Sequence, residues 1–380
     1  MKKQFLTILF VLAILFNSSL LGASCKTSNQ QYLTPPPVQK QQCLASAAAP
    51  SASISVDDQY SWQNHLFIDI AYTYWYAGEE GLSLGRSGDF LIGDDPLFNS
   101  TTTLLSQPFH YQSGFEVGAG WRKNDWILGG KYIWVRNNTS QHSLAPEPSP
   151  SFGTGVWLIA PWFLQVASDG GSLSGTEITS DWHLAMDIAD LTLGNLCIQQ
   201  DHLAVTATGG LRAAWIRQNM NIALTETPGI LIPLPPQPIH STNSSHSWSI
   251  GPKFKTEARG LLGFGFRVEA NIATSLLLTT YTKIFHREDG AMLGAVPENI
   301  YVKETNRTAL RPVVECGLGL GWEKNLCSNK YHVDFSADYN FMYWWNQNMM
   351  RELLNNLWGK VPANGDLYLH GLTVSGRFDF

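Results

Sequence analysis

Asp366-Leu-Tyr-Leu-His-Gly-Leu-Thr-Val-Ser-Gly-Arg-Phe-Asp-Phe380 closes the chain. Every second position is apolar, aromatic or small: Tyr368, Leu372, Val374, Gly376, Phe378 and Phe380, with His370 the one exception. From Gly371 onward the positions between are Thr373, Ser375, Arg377 and Asp379. Period two is the spacing of a strand that shows one face to oil and the other to water. Two settings fit such a strand: the closing strand of an outer-membrane β-barrel, or the edge strand of a soluble sandwich. The rest of the chain has to decide between them.

The other end opens with Lys2 and Lys3, an apolar run from Phe5 to Phe16, and small residues through Leu21-Gly22-Ala23-Ser24. These read as the charged, apolar and cleavage regions of an export signal over 1–23. The run is shorter than the ~20 apolar residues of a membrane helix. Cys25 raises lipoprotein processing as a second route, but Gly22 stands where a lipobox carries Leu. Later apolar runs such as Ile272–Leu278 are short and interrupted by Thr and Ser, so helical spans are not expected after the signal. Residues 24–62, rich in Gln, Ala, Ser and Pro, have a linker composition. The remainder, 63–380, is the expected barrel domain.

Composition agrees with a lipid-facing surface. Aromatics make up 12% of the 380 residues and charged groups only 15%, against roughly a quarter charged in soluble domains. The net charge of −6 and the absence of a basic cluster argue against nucleic-acid binding.

From Leu66 the chain repeats the alternation of its end. Leu66, Ile68, Ile70, Tyr72 and Tyr74 interleave with Phe67, Asp69, Ala71, Thr73 and Trp75. Phe115–Trp121, Trp126–Trp134, Trp182–Ile188, Leu203–Trp215, Trp248–Phe254, Phe264–Ile272, Leu310–Trp322 and Tyr331–Tyr343 behave alike. These lengths suit membrane strands of about 9–11 residues. Aromatics at segment ends (Tyr74, Trp121, Trp126, Trp134, Trp182, Trp215, Trp248, Trp322, Tyr331, Tyr343) predict girdles at two interfaces. Long connections over 78–108, 138–179, 224–246, 288–307 and 346–365 alternate with short ones at Lys123-Asn124-Asp125, Asn195–Asp201, Arg259-Gly260 and Lys324–Lys330. Long external loops and short periplasmic turns are the barrel rhythm. The count gives ten strands; 150–178, with Val156-Trp157-Leu158-Ile159 and Trp162–Val166, could add two. The fold expected is therefore an all-β, antiparallel, up-and-down transmembrane barrel of 10–12 strands, with any even number up to 16 open.

Several blocks carry a resemblance: Phe67–Trp75, Gly114–Gly120, Gly209–Ile216, Arg311–Trp322 and Gly371–Phe380. Their residues and order resemble the pore-forming outer-membrane protein family of Legionella and Chlamydia-like bacteria, often called major outer membrane protein-like. The resemblance covers most of the chain after residue 60. It implies a porin of the outer membrane and carries no catalytic motif.

A lone Arg or Lys on the lipid face at the midplane costs about 2–4 kcal/mol, so strand charges are expected inside. The pore-lining candidates are Asp69, Glu116, Arg122, Lys131, Asp187, Arg212, Lys253, Lys255, Arg267, Glu269, Arg311, Glu315, Asp334, Asp338 and Arg377. Mixed signs predict weak ion selectivity, or ion-paired networks that plug a narrow barrel. Phe378 and Phe380 are the candidate assembly signal. Cys197 and Cys327, on predicted periplasmic turns, could form disulfides to neighbouring envelope proteins. No Cys pair has metal-ligand spacing, and neither metal nor cofactor is expected. His110, His183, His202, His332 and His370 are scattered, without G-x-S-x-G; His183 near Asp181 and Asp187 is the nearest approach to an acid–base cluster. An enzyme is not expected.

The function expected is a narrow channel for passive diffusion of small hydrophilic solutes and ions. The alternative is an adhesin or disulfide-linked envelope scaffold displaying the Pro228–Pro238 and Ser241–Ser247 stretches. Expected partners are outer-membrane lipid, the barrel assembly machinery, and either further copies of the chain or cross-linked envelope proteins.

Overall fold

The computed structural model describes residues 64–91, 102–144, 154–159, 161–164, 174–200, 202–226, 238–290, 299–327, 330–351 and 364–380. The expected signal and linker, with Cys25 and Cys43, lie outside the described residues, as does most of the Pro228–Pro238 stretch. The strands are β1 (Asn64–Glu79), β2 (Ser83–Leu91), β3 (Thr102–Ser106), β4 (Tyr111–Lys123), β5 (Trp126–Leu144), β6 (Thr154–Ile159) and β7 (Ser174–Gln200). They continue with β8 (Leu203–Glu226), β9 (Pro238–Gly263), β10 (Phe266–Asp289), β11 (Ile300–Glu304), β12 (Arg307–Leu326), β13 (Tyr331–Asn348) and β14 (Gly365–Asp379).

Ten of these close a ring. In order they are β1, β4, β5, β7, β8, β9, β10, β12, β13 and β14, each antiparallel to its neighbours, with β14 returning to β1. The closing register sets Ile68 opposite Phe378 and Tyr72 opposite Val374. Phe380 exchanges both backbone hydrogen bonds with Leu66. Closure leaves the wall no free edge.

The segment 150–178, which could have supplied two more strands, adds none to the wall among its described residues ahead of β7. β6 forms there and pairs with β2 and the upper end of β7, in a small outlying group with β3. β11 extends β12 along β10 beyond the left-handed Asn306 (φ 63°). The described residues of the short turns are Asn124-Asp125, His202, Phe264-Gly265, and Cys327 with Lys330. The third differs from the expected Arg259-Gly260: β9 runs past that pair and turns where Phe264 and Gly265 adopt positive φ.

Short turns mark the periplasmic end of a barrel. Near that end the outward face is apolar and solvent-open: Leu66, Ile68, Ile70, Leu191, Leu193, Leu211, Phe266, Leu318, Leu320, Leu372 and Val374 are all exposed. Phe264 and Phe378 edge this belt near the turns, and Trp215 and Trp248 edge it on the far side. Beyond Trp215 and Trp248 the same strands continue, with polarity exchanged between the faces. β7 turns Trp182, Leu184, Met186 and Ile188 inward, fully buried; β8 does the same with Ile216, Met220, Ile222 and Leu224. These side chains join Trp75, Trp162, Trp344, Leu367 and Leu369 in one core.

This corrects the sequence expectation for Trp182 and its neighbours. Their alternation is real, but Trp182 is 0 % exposed inside the barrel and not at a lipid girdle. Above the membrane the outside is water, so the hydrophobic effect drives apolar groups inward, as in any soluble barrel.

Candidate functional site

Below that core the barrel holds a polar chamber of about 340 Å³, walled by side chains from all ten ring strands. Asp69, Glu116, Arg122, Lys131, Lys253, Lys255, Arg267, Glu269, Glu315, Asp334, Asp338 and Arg377 all border it. So do Asp190, Glu257 and Arg259, which the sequence reading passed over. Lys131 points to the barrel interior and still has 43 % of its side chain exposed, so the chamber is wide enough for water.

Most of these charges are tied into networks. Arg212 donates from Nε and Nη2 to the two Asp190 oxygens, both at 2.7 Å. Lys253 bridges Asp190 (2.8 Å) and Glu315 (3.0 Å). Arg212 also donates to Glu315. Glu315 on β12 and Arg212 on β8 are not on neighbouring strands, so this quartet straps the barrel across its lumen. Nearer the turns, Arg267 donates to Glu269 (3.1 Å), Glu323 (3.1 Å) and Asp334 (2.7 Å) from three strands. A β-carbon at Gly321 would lie 2.5 Å from its guanidinium carbon, so any other residue there would push the guanidinium out of this position. Glu257 accepts from Lys255 (2.6 Å) and Arg259 (2.7 Å). Lys131 pairs with Glu116. Asp379 accepts from Arg377 and bonds His332 at 2.7 Å, while the Arg377 guanidinium lies 3.8 Å over the Phe67 ring.

Among the described residues eight carboxylates face seven cations around the chamber. The near balance leaves no ring of one sign, the arrangement that would impose strong ion selectivity. Removing one partner from a buried pair costs about 3–5 kcal/mol because the other charge is stranded. The networks therefore set the chamber's shape as well as its potential.

Three expected pore residues stand elsewhere. Arg212 points inward but is fully buried behind Asp190 and Glu315, through which it acts. Arg311 points inward but above the chamber, donating to the Tyr281 hydroxyl at 3.0 Å beside Met349. Asp187 does not face the lumen at all. It shares the outward face of β7 with Leu191 and Leu193, forms a two-pronged pair with Arg136 at 3.0 Å, and accepts from the Tyr132 hydroxyl at 2.7 Å. The Arg136 guanidinium also covers Trp134 at 4.8 Å. A charge is tolerated there because the membrane has already given way to the interface, and because its partner is on the adjacent strand.

The remaining candidates are accounted for as follows. His183 bonds Asn138 at 2.8 Å on the outer surface, while Asp187 is committed to Arg136, so no acid–base pair forms between them. His370 stacks on Tyr76 at 5.0 Å and bonds the Tyr339 hydroxyl at 2.6 Å in an outward aromatic cluster. Cys197 is half-buried near the end of β7, and Cys327 is exposed in a turn. Phe378 and Phe380 face outward and stack on each other at 6.0 Å. No group of three or more potential metal ligands converges among the described residues. Asp190 was hidden because it follows Leu184, Met186 and Ile188 on a face that reads as apolar.

The roof of the chamber is the outer core, capped by Trp162–Leu164 from the β6–β7 connection. Trp162 donates its indole N–H to the Ser83 carbonyl at 2.8 Å, and its own carbonyl accepts from Ser241 at 2.9 Å. Glu288 accepts from the Leu164 amide and bonds His286 at 2.7 Å, and His286 bonds Asn243 at 2.8 Å. Asn243 uses its NH₂ toward Ser241 and the Met220 carbonyl. Its oxygen therefore faces His286, and both imidazole nitrogens meet acceptors.

A closed antiparallel barrel with an apolar belt outside and a charged chamber inside is an outer-membrane β-barrel protein, and the chain resides in the bacterial outer membrane. Over residues 82–380 its sequence matches the family described as Legionella pneumophila major outer membrane protein precursor, and it belongs to that family. Among individually characterised proteins, none matches the sequence. Similar solved structures include the outer membrane protease OmpT from Escherichia coli, at 7% identity and TM-score 0.39, over 83% of this chain and 96% of that one. The Pseudomonas putida toluene transporter TodX has 7% identity and TM-score 0.27, over 86% and 91%. A Pseudomonas aeruginosa FadL homologue has 9% identity and TM-score 0.28, over 84% and 90%.

Proposed function

We propose that the protein is a narrow porin for small hydrophilic solutes and ions. The observation that carries this reading is the water-sized, charge-lined chamber spanning the membrane level of the barrel. Solute would pass between paired carboxylates and cations, which can exchange partners with it and hold neither sign strongly. The outer apolar core is the restriction. An apolar constriction excludes ions by staying dry, so conduction requires the core and its Trp162 cap to part.

Planar-bilayer recording of refolded protein in high salt tests this. Small, discrete, weakly selective steps are expected. Complete absence of steps, in protein verified as folded by its heat-sensitive mobility, would overturn it. That same outer core favours a second reading, a structural envelope barrel without transport, which a silent bilayer would support.

A further inference from the structure

The outward wall carries a second cluster that pore function does not use. Arg217 on β8, His246 on β9 and Lys283 on β10 form one cross-strand row, with Arg217 and Lys283 both registered against His246. Two strand spacings set its width at about 10 Å. The row lies immediately above the lipid belt. Two residues below Arg217 and His246 are the registered pair Trp215 and Trp248, and below those come Leu211, Ile250 and Leu278, all exposed.

Among the described residues these cations are not balanced. Neither Arg217 nor Lys283 forms an ion pair among them; Lys283 only covers the Phe285 ring at 4.6 Å. His246 bonds the Asn219 side-chain oxygen at 3.3 Å. Burial, then Lys283 and then Arg217, hold its imidazole below the usual range, so the three groups sense one another. Hydroxyl and amide side chains surround the row: Asn219, Asn221, Thr280 and Thr282. Elsewhere on the outward wall the comparable feature is aromatic instead, with Tyr76, Tyr111, Tyr339, Tyr368 and His370 in contact. The nearby Arg136, by contrast, is neutralised by Asp187. An uncompensated basic row, a ledge of hydrogen-bonding groups and a tryptophan pair at the edge of an apolar belt complement a ligand with an anionic head, a polar sugar-like body and acyl chains.

We propose that Arg217, His246 and Lys283 bind the phosphate of a phosphorylated glycolipid in the outer leaflet, with its acyl chains lying along the belt below. The phosphate would sit between Arg217 and Lys283, and binding would favour protonation of His246.

Native mass spectrometry of the full-length protein refolded in detergent tests this, with a phosphorylated disaccharide lipid, its dephosphorylated form, phosphatidylethanolamine and inorganic phosphate as separate probes. Wild type should retain the phosphorylated lipid in preference to the other three. The Arg217→Gln/Lys283→Gln double variant should bind it about 30-fold more weakly, from about 1 kcal/mol per charge at a membrane surface. Each single variant should fall between. All of these changes are on the outer surface, so heat-sensitive mobility should be unaltered, and the single variants keep the test open if the double variant folds poorly. Equal retention by wild type and variants would overturn the proposal. So would inorganic phosphate binding as tightly as the lipid, which would mark an adventitious anion only.

Discussion

On strand β7 the inward-facing residues Met186 and Ile188 lie in an apolar core, and Asp190, two positions further along the same face, lies in a web of ion pairs. The outward face changes in the opposite sense, from His183 and Asp187 to Leu191 and Leu193. β8 repeats this in reverse chain direction, with Arg212 inward below and Ala214, Ile216 and Met220 inward above. The barrel is thus two proteins stacked on shared strands. Where lipid surrounds it, polar groups are driven inside. Where water surrounds it, apolar groups are. Between these residues of β7 and β8 the pleat keeps its phase; only the solvent changes.

The largest effect should come from placing one charge on both sides of the boundary. Met186→Asp buries an unpaired carboxylate in the outer core and should destabilise the barrel by several kcal/mol, on the order of the cost of an unpartnered buried charge. Thr192→Asp, on the same face of the same strand but in the chamber, should shift the urea refolding midpoint little. Equal shifts would break the comparison.

Next is Arg267→Ala. It strands Glu269, Glu323 and Asp334 together, and about 3–5 kcal/mol should be lost, read as a lower midpoint. Any channel that remains should favour cations more strongly, read from reversal potentials in a salt gradient. Trp162→Ala should cost about 3–5 kcal/mol by emptying a buried position in the cap. It should also lengthen or multiply open events in bilayer recordings; unchanged gating would remove Trp162 from the restriction.

Glu79 sharpens the comparison by pH. It lies in the outer core, above the membrane, facing Gln218 and the Trp182 indole without a hydrogen bond of good geometry. Burial pushes its carboxyl well above the usual range. A raised folded-state pKa means the folded protein keeps a proton that the unfolded chain has released, so this residue weakens the fold as pH rises past the ordinary carboxylate range. Glu79→Gln should therefore raise the refolding midpoint at pH 8 and leave it unchanged near pH 3. A gain at both would place the effect in packing. The smallest effect on the folded barrel should come from deleting Phe380, which removes one outward ring stacked on Phe378 and the last backbone pair with Leu66. The expected change is less protein inserted in the outer membrane with only a small drop in midpoint, measured by membrane fractionation, and undiminished insertion would deny the terminal aromatic an assembly role.

The terminal strand was legible almost residue by residue: Leu372, Val374, Phe378 and Phe380 face out, while Thr373, Ser375, Arg377 and Asp379 face in. Ten ring strands, the long–short rhythm of the connections and most of the charged chamber residues were legible too. Each follows from local periodicity in a chain that must hide its polar groups from lipid. Asp187, Trp182 and Asp190 were misread or missed for one shared reason. Alternation reports that two faces differ, but not which one meets the core, and that assignment inverts where the strand leaves the membrane.

The sequence by itself determined a barrel, a strand count of ten to twelve and the existence of a polar interior, because period-two patterning and short turns are properties of neighbouring residues. Only the tertiary structure decided that the polar interior stops partway. It also decided that Arg212 and Glu315 meet across the lumen, that Asp187 pairs outward with Arg136, and that Arg217, His246 and Lys283 align on the outer wall. Those facts depend on register between distant strands and on the height of each residue relative to the membrane. Neither quantity is carried by any local stretch of chain.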